Sequence, residues 1–216
     1  MFVVQSQIYA MRITLLDNRD SFAWNLAHDL GRGGHDVQVV REGGWNDSLW
    51  LQTDALVLSP GPGLPKEHGE TIEVLAEACE RGVPTLGVCL GMQAIAEHFG
   101  AKLLNLDEPL HGRQSVVAWD KSVDDWWSAL SDAIEVGHYH SWVVDERSLP
   151  STLKAIARNE KGLLMAIVHE SFPIAGVQFH PESVLTPEGR QLLQEWAAWA
   201  QRCLAISASN VSLKRS

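Results

Sequence analysis

The plan of the chain is set out in Thr85-Leu86-Gly87-Val88-Cys89-Leu90-Gly91-Met92-Gln93-Ala94-Ile95-Ala96-Glu97-His98-Phe99. Thr85 to Val88 is a short, mostly apolar run of strand length, and Leu90 to Phe99 repeats its apolar residues at helical spacing. A single residue, Cys89, separates the two patterns. Glycines at 87 and 91 remove side chains that would collide in so abrupt a turn. The G-x-C-x-G spacing matches the G-x-S-x-G elbow, in which a tight strand-to-helix turn projects a nucleophile. The free N–H groups of a helix N-terminus stabilise a thiolate and the oxyanion formed after its attack. An isolated cysteine is more often a packed thiol than a nucleophile. At this turn the nucleophile is favoured, and it needs a base.

The same alternation continues on both sides. Ile13 to Leu16 reads as a strand, left through the loop Asp17-Asn18-Arg19-Asp20. Ser21 is placed to cap a helix with Phe22, Leu26 and Leu30 on its apolar face, closed by Gly31, Gly33 and Gly34. Val37 to Val40 and Ala55 to Leu58 are further strands, the second followed by Ser59-Pro60-Gly61-Pro62-Gly63-Leu64-Pro65. Thr71 to Arg81 reads as a helix. This rhythm implies right-handed crossovers and an α/β fold with a mainly parallel central sheet flanked by helices. From Lys102 to Gln178 short strands dominate, with one helical interruption near Val123 to Leu130, which predicts a smaller antiparallel portion. The last strand is expected at Ile174 to Phe179, and a closing helix from Thr186-Pro187, with Pro at its first position. Leu192, Trp196, Trp199, Ala200 and Cys203 form one helical stripe that reads as core, Cys203 and Cys79 being packed thiols. The expected organisation is an extension over 1–10, one domain over 11–204 and a polar tail over 205–216.

The 216 residues suit one α/β domain, or at most two small ones, and 45% hydrophobic residues with 20% charged is a globular balance. Seventeen Lys and Arg against 27 Asp and Glu leave a net charge of −10, which disfavours nucleic acid and anionic membranes as partners. Apolar runs such as Leu163 to Val168 are too short to cross a bilayer, and Met1 to Ala10 lacks the pattern of a secretion signal. Three cysteines fit a reduced, cytoplasmic setting. His138 and His140 share a strand face, but no third ligand stands at zinc spacing, so no metal site is expected. His28, His35, His68, His98 and His169 read as surface or helix-end residues. Neither a Walker loop nor a G-x-G-x-x-G after a strand is present, which leaves nucleotide binding without support.

The base for Cys89 is sought in Gln178-Phe179-His180-Pro181-Glu182, at the C-terminal end of a buried strand. Residues two apart on an extended segment face the same side, so Glu182 is placed to orient the His180 imidazole. An imidazole of ordinary pKa can take the thiol proton and return it to a leaving amine. By itself a His-x-Glu pair is weak. Joined to a cysteine elbow in one α/β chain it is far more specific, since both motifs fall at the carboxyl ends of strands, where such sheets bind ligands.

With these residues assembled, the chain resembles the class I (triad) glutamine amidotransferases of flavodoxin-like fold, in particular the small subunits of anthranilate synthase and aminodeoxychorismate synthase. The likeness spans Met11 to Leu204. It is carried by Asp17 to Phe22, Ser59 to Gly63, Gly87 to Gln93, His111-Gly112, His138 to Ser141 and Gly176 to Ser183. The resemblance implies that Cys89 attacks the glutamine carboxamide, His180 shuttles the proton and Glu182 orients His180. It assigns the oxyanion hole to the N–H groups of Leu90 and Gly63. Gly61, Gln93 and the Ser141-Trp142 backbone would hold glutamine. It further implies a glutamyl thioester, ammonia passed to a chorismate-binding large subunit, and no cofactor in this chain, Mg²⁺ being expected in the partner.

Met92, Trp142, Arg113 and His138 depart from the residues frequent in the family at these positions, and none of them belongs to the triad. His111-Gly112-Arg113 and His138 are expected near the partner surface. Trp45, Trp50, Trp126 and Trp127 are candidate interface anchors, with burial inside the chain equally open for each. The runs Tyr139-His140-Ser141-Trp142-Val143-Val144 and Ser183-Val184-Leu185-Thr186-Pro187 resemble anthranilate synthase subunits more than aminodeoxychorismate synthase, with the latter or a subunit shared by both as the alternative, and nothing after Leu204 is expected to hold a synthetase domain. Two other readings stand behind these. A stand-alone γ-glutamyl thiol hydrolase fits the Pro-Gly loop and the His-Tyr-His-Ser run poorly, and a non-catalytic regulatory subunit fits an intact Cys, His and Glu poorly.

Overall fold

The computed structural model describes residues 10–122, 127 and 129–213. In chain order the strands are β1 (Arg12–Asp17), β2 (Asp36–Arg41), β3 (Ala55–Leu58), β4 (Thr85–Val88), β5 (Lys102–Trp119), β6 (Ala133–Asp145), β7 (Leu153–Asn159), β8 (Leu164–His169) and β9 (Ile174–Val177). The helices are α1 (Ala23–Arg32), α2 (Gly69–Arg81), α3 (Leu90–His98) and α4 (Gly189–Leu213). All nine strands join one sheet in the order β2-β1-β3-β4-β9-β8-β7-β5-β6. Pairing is parallel from β2 to β9 and antiparallel from β9 to β6.

Helices cover both faces of the parallel part. Ile13 and Leu15 of β1 pack with α1 and with Leu192, Trp196 and Ala200 of α4. Leu16 points the other way, into the layer of Val74, Leu75 and Ala78 of α2 and Ile95 of α3. A strand buried on both faces has no use for polar alternation. Accordingly β3, β4, β8 and β9 are buried along their whole length. The stripe on α4 is core: Trp196 is fully buried, and Cys203 packs at its edge.

Several elements differ from the sequence-based expectation. Ser21 is exposed and does not cap α1; the N-cap position falls on Phe22, which makes no side-chain cap, and the Asp20 carboxylate accepts the Phe22 N–H at 2.7 Å in the turn ahead of the helix. The antiparallel portion is built on two long strands rather than short ones, β5 of 18 residues and β6 of 13. Their ladder is interrupted between Asn105 and Leu110 and between His111 and Arg113, and these irregularities make one long ribbon look like several short strands in sequence. Strand β9 stops at Val177, two residues early. Helix α4 starts at Gly189, after a turn in which Pro187 sits, and runs on past residue 205 as an exposed helix. The helical interruption near Val123 to Leu130 falls mostly outside the described residues, as does Trp126. Among the described residues no helix is long and apolar enough to cross a membrane.

Candidate active site

Cys89 holds φ 53° and ψ −101°, a conformation costly for a residue with a side chain. The surrounding backbone holds it there. Its N–H donates to the Val177 carbonyl at 2.8 Å, and its carbonyl accepts the Gln93 N–H at 3.1 Å. A Cβ on Gly91 would overlap the Leu58 carbonyl oxygen, and one on Gly87 would overlap the Gly91 carbonyl. Only glycine on either side lets β3, β4 and α3 close this tightly, and the thiol is thereby fixed at the head of α3.

The register Val88↔Val177 brings the ends of β4 and β9 side by side. The chain leaving β9 therefore passes directly over the thiol. Gln178 Nε2 lies 3.6 Å from Cys89 Sγ, and Gln178 Oε1 accepts from Gln93 Nε2 at 3.2 Å. His180 is fastened by its own N–H to the Gly137 carbonyl at 3.0 Å and by its carbonyl to the Thr186 hydroxyl at 2.6 Å. Nδ1 of His180 meets Glu182 Oε1 at 2.7 Å, with both side chains almost fully buried. Their contact is made across a turn, not along an extended segment as the sequence spacing suggested. The rings of Phe22 and Tyr139 stand edge-on to the imidazole, with centroids at 5.7 Å and 5.0 Å.

Burial pushes the His180 pKa down, but the hydrogen bond and charge of Cys89, joined by those of Glu182, outweigh it and raise it to about 10. Burial pushes the Glu182 carboxyl up, against the pull of its bond to His180. The imidazolium form of His180 is thereby favoured beside the Cys89 side chain. By contrast Cys79 is a packed thiol pushed by burial up to about 11, consistent with an inert residue.

A cavity of about 310 Å³ opens over Cys89. It is lined by Gly61, Pro62, Gly63, Leu90, Gln93, His111, Tyr139, His140, Ser141 and Trp142. Every residue expected to bind substrate or an oxyanion thus borders one space. Gln93 reaches across it, its Nε2 donating to the Trp142 carbonyl at 2.8 Å. Gly63 has φ 72°, which gives its peptide an orientation that residues with a Cβ rarely adopt. The Pro-Gly loop is tied to the strand ends below it. Asn18 donates its N–H to Ser59 Oγ and its side-chain amide to the Ser59 carbonyl, each at 2.9 Å, and the Thr71 hydroxyl donates to Asn18 Oδ1.

Other expectations are corrected. His138 is buried, not on the partner surface: its Nε2 lies 2.6 Å from Ser115 Oγ and its Nδ1 3.1 Å from His140 Nε2. Burial first, then neighbouring imidazoles, depress His138 to about 4 and His140 to about 3. His169 is buried rather than superficial, and His68 stands at a helix end as expected, ahead of α2, but is buried there. Trp50 and Trp127 are core residues and Trp45 packs on Trp50, so these three do not serve as exposed anchors. The sequence reading assigned no role to Gln178, Phe22, Tyr139 or His140 at the site. The alternation of Gln178 with His180 was a usable clue to the first. The other three arrive from distant strands and helices.

A family model of class-I glutamine amidotransferases matches residues 14–198. Anthranilate synthase component 2 of Mycobacterium tuberculosis strain H37Rv is 40% identical over 202 residues, covering 88% of this chain and 84% of that one. Aminodeoxychorismate/anthranilate synthase component 2 of Bacillus subtilis is 37% identical over 191 residues, covering 85% and 94%. In fold, the chain matches the structure of a glutamine amidotransferase from Thermotoga maritima with a TM-score of 0.74 at 16% identity, over 91% of this chain and 99% of that one. On the extent of the family match and of these identities, the chain belongs to the class-I glutamine amidotransferase family.

Proposed function

We propose that this chain is the glutamine-hydrolysing subunit of anthranilate synthase, supplying ammonia to a chorismate-binding large subunit. The observation that carries the chemistry is the convergence of the Cys89 elbow and the buried His180–Glu182 pair on one cavity. Cys89 Sγ attacks the side-chain carbonyl carbon of glutamine, forming a tetrahedral oxyanion held by the N–H groups of Leu90 and Gly63. His180 Nε2 gives its proton to the leaving nitrogen, the C–N bond breaks, and ammonia leaves a γ-glutamyl thioester on Cys89. Water, deprotonated by His180, attacks the thioester and releases glutamate. Glu182 keeps the imidazole oriented throughout. Gly61, Gln93 and the Ser141-Trp142 backbone hold the substrate. The chain's own side chains and water suffice for this cycle, and Mg²⁺ belongs to the large subunit.

The relatives' names support both anthranilate and aminodeoxychorismate synthesis, and the Bacillus subtilis relative carries the two together. The purified chain is therefore mixed with each kind of large subunit, chorismate, Mg²⁺ and glutamine. Product with the anthranilate partner alone is the expected result. Product with the aminodeoxychorismate partner alone would replace the first reading by the second, and product with both would mean a shared subunit. Cys89→Ser is expected to retain partner binding and ammonia-dependent synthesis while glutamine-dependent synthesis falls at least about 10³-fold. Persistence of glutamine use in that variant would remove Cys89 as the nucleophile.

A further inference from the structure

We propose that His68 is a positioning residue that sets the direction of the Gly63 N–H, and hence assembles half of the oxyanion hole. The inference rests on the reading of Gly63 as an oxyanion donor. His68 immediately precedes α2 and is buried, with 5% of its surface exposed. Its Nε2 lies 2.8 Å from the Pro62 carbonyl oxygen and its Nδ1 3.1 Å from Glu42 Oε2. The Pro62 carbonyl oxygen can only accept, so His68 Nε2 is the donor in that contact. Glu42 Oε2 is in turn 3.3 Å from Arg19 Nε, which anchors the far side of the bridge.

The Pro62 carbonyl and the Gly63 N–H belong to one planar trans peptide, in which C=O and N–H point in opposite directions. A hydrogen bond that draws the carbonyl toward His68 therefore presents the N–H on the other side. Gly63 borders the cavity with Cys89 and Leu90, and its N–H makes no hydrogen bond among the described residues. At φ 72° it occupies a well in which glycine is free to turn, so the peptide needs an external hold. Glu67 grips the next residue from the same side, its Oε2 accepting the Leu64 N–H at 2.9 Å. His68 is thus the group through which the start of α2 fixes the oxyanion peptide.

The test compares crystal structures and glutamine kinetics, in complex with the large subunit, of the wild type, His68→Ala and His68→Gln. Glutamine retains an amide donor for the Pro62 carbonyl. His68→Ala is expected to turn the Pro62–Gly63 peptide and to lower kcat by about 10- to 100-fold with KM within about twofold, since one well-placed oxyanion donor is worth about 10²–10³ in rate. His68→Gln should recover most of kcat. Alkylation of Cys89 by iodoacetamide, which forms no oxyanion, should be unchanged in both. An unmoved peptide in His68→Ala would overturn the proposal, as would an unchanged kcat, or alkylation falling in parallel with turnover. Absence of glutamate release by the wild type would instead overturn the glutaminase reading, and the peptide orientation in His68→Ala would still decide whether His68 holds it.

Discussion

Glu182 contacts His180 through one oxygen, and its second oxygen is buried without a partner among the described residues. A carboxylate so enclosed serves the imidazole and little else. Glu182→Gln keeps the shape but removes the charge that helps raise His180. It is expected to reduce kcat by roughly 10²- to 10⁴-fold, as neutralising the orienting acid of a triad does, and to move the alkaline limb of the pH–rate profile for glutamate release to lower pH. An alkaline limb left in place would deny Glu182 that influence. At this scale the sequence was informative about chemistry and poor about surroundings. Cys89, His180 and Glu182 were singled out because each lies in a short motif, and the His180–Glu182 contact is present in the fold. The enclosure of His68 and His138 was not, because Glu42 and Ser115 reach them from distant parts of the chain.

Among the elements, the β4–α3 elbow tolerates the least change. Gly91→Ala would drive a methyl into the Leu58 carbonyl of β3, where neither backbone can yield. It is expected to destabilise the chain by about 1–3 kcal/mol or more in urea unfolding and to slow alkylation of Cys89. Gly31→Ala is the contrasting case. Gly31 lies inside α1 with nothing within 4 Å of the added carbon, and alanine there should stabilise by about 0.5–1 kcal/mol. Equal effects of the two would remove packing as the cause. Strands such as β3 and β4 were legible to the residue because burial on both faces writes them as unbroken apolar runs. The β5–β6 ribbon was not, since its outer half is exposed and bulged and therefore carries neither an apolar run nor steady alternation. The outer end of α4 is exposed from Ala205 to Ser209, so no buried stripe marks it as helix in the sequence.

For the molecule as a whole, the buried histidines divide its stability between two pH ranges. His138 and His140 have native values of about 4 and 3, below the ordinary 6.5 of the unfolded chain. Below pH 6.5 the unfolded chain takes up protons that the native fold refuses, so stability falls as pH drops toward those values. The slope is about 1.4 kcal/mol per pH unit for each ring. His180 behaves oppositely: its native value of about 10 gives stability that is full below 6.5 and lost as pH rises through 10. Urea unfolding of His138→Asn between pH 6.5 and 4 should therefore show a slope shallower than the wild type by about 1.4 kcal/mol per unit, and equal slopes would show that His138 is not the group refusing the proton.

The adjacency of β4 and β9 carries a consequence for how the catalyst comes into being. The two strands are neighbours in the sheet, yet the whole antiparallel set lies between them in the chain. Strands β1 to β4 can pair with near neighbours, while the elbow still lacks the Val177 carbonyl that accepts the Cys89 N–H. The imidazole arrives only when β9 has threaded between β4 and β8, the most non-local pairing and the slowest kind to form. A chain in which β1 to β4 were paired and β9 undocked would own a thiol but no base, so hydrolysis by this pair would wait for the closing of the sheet.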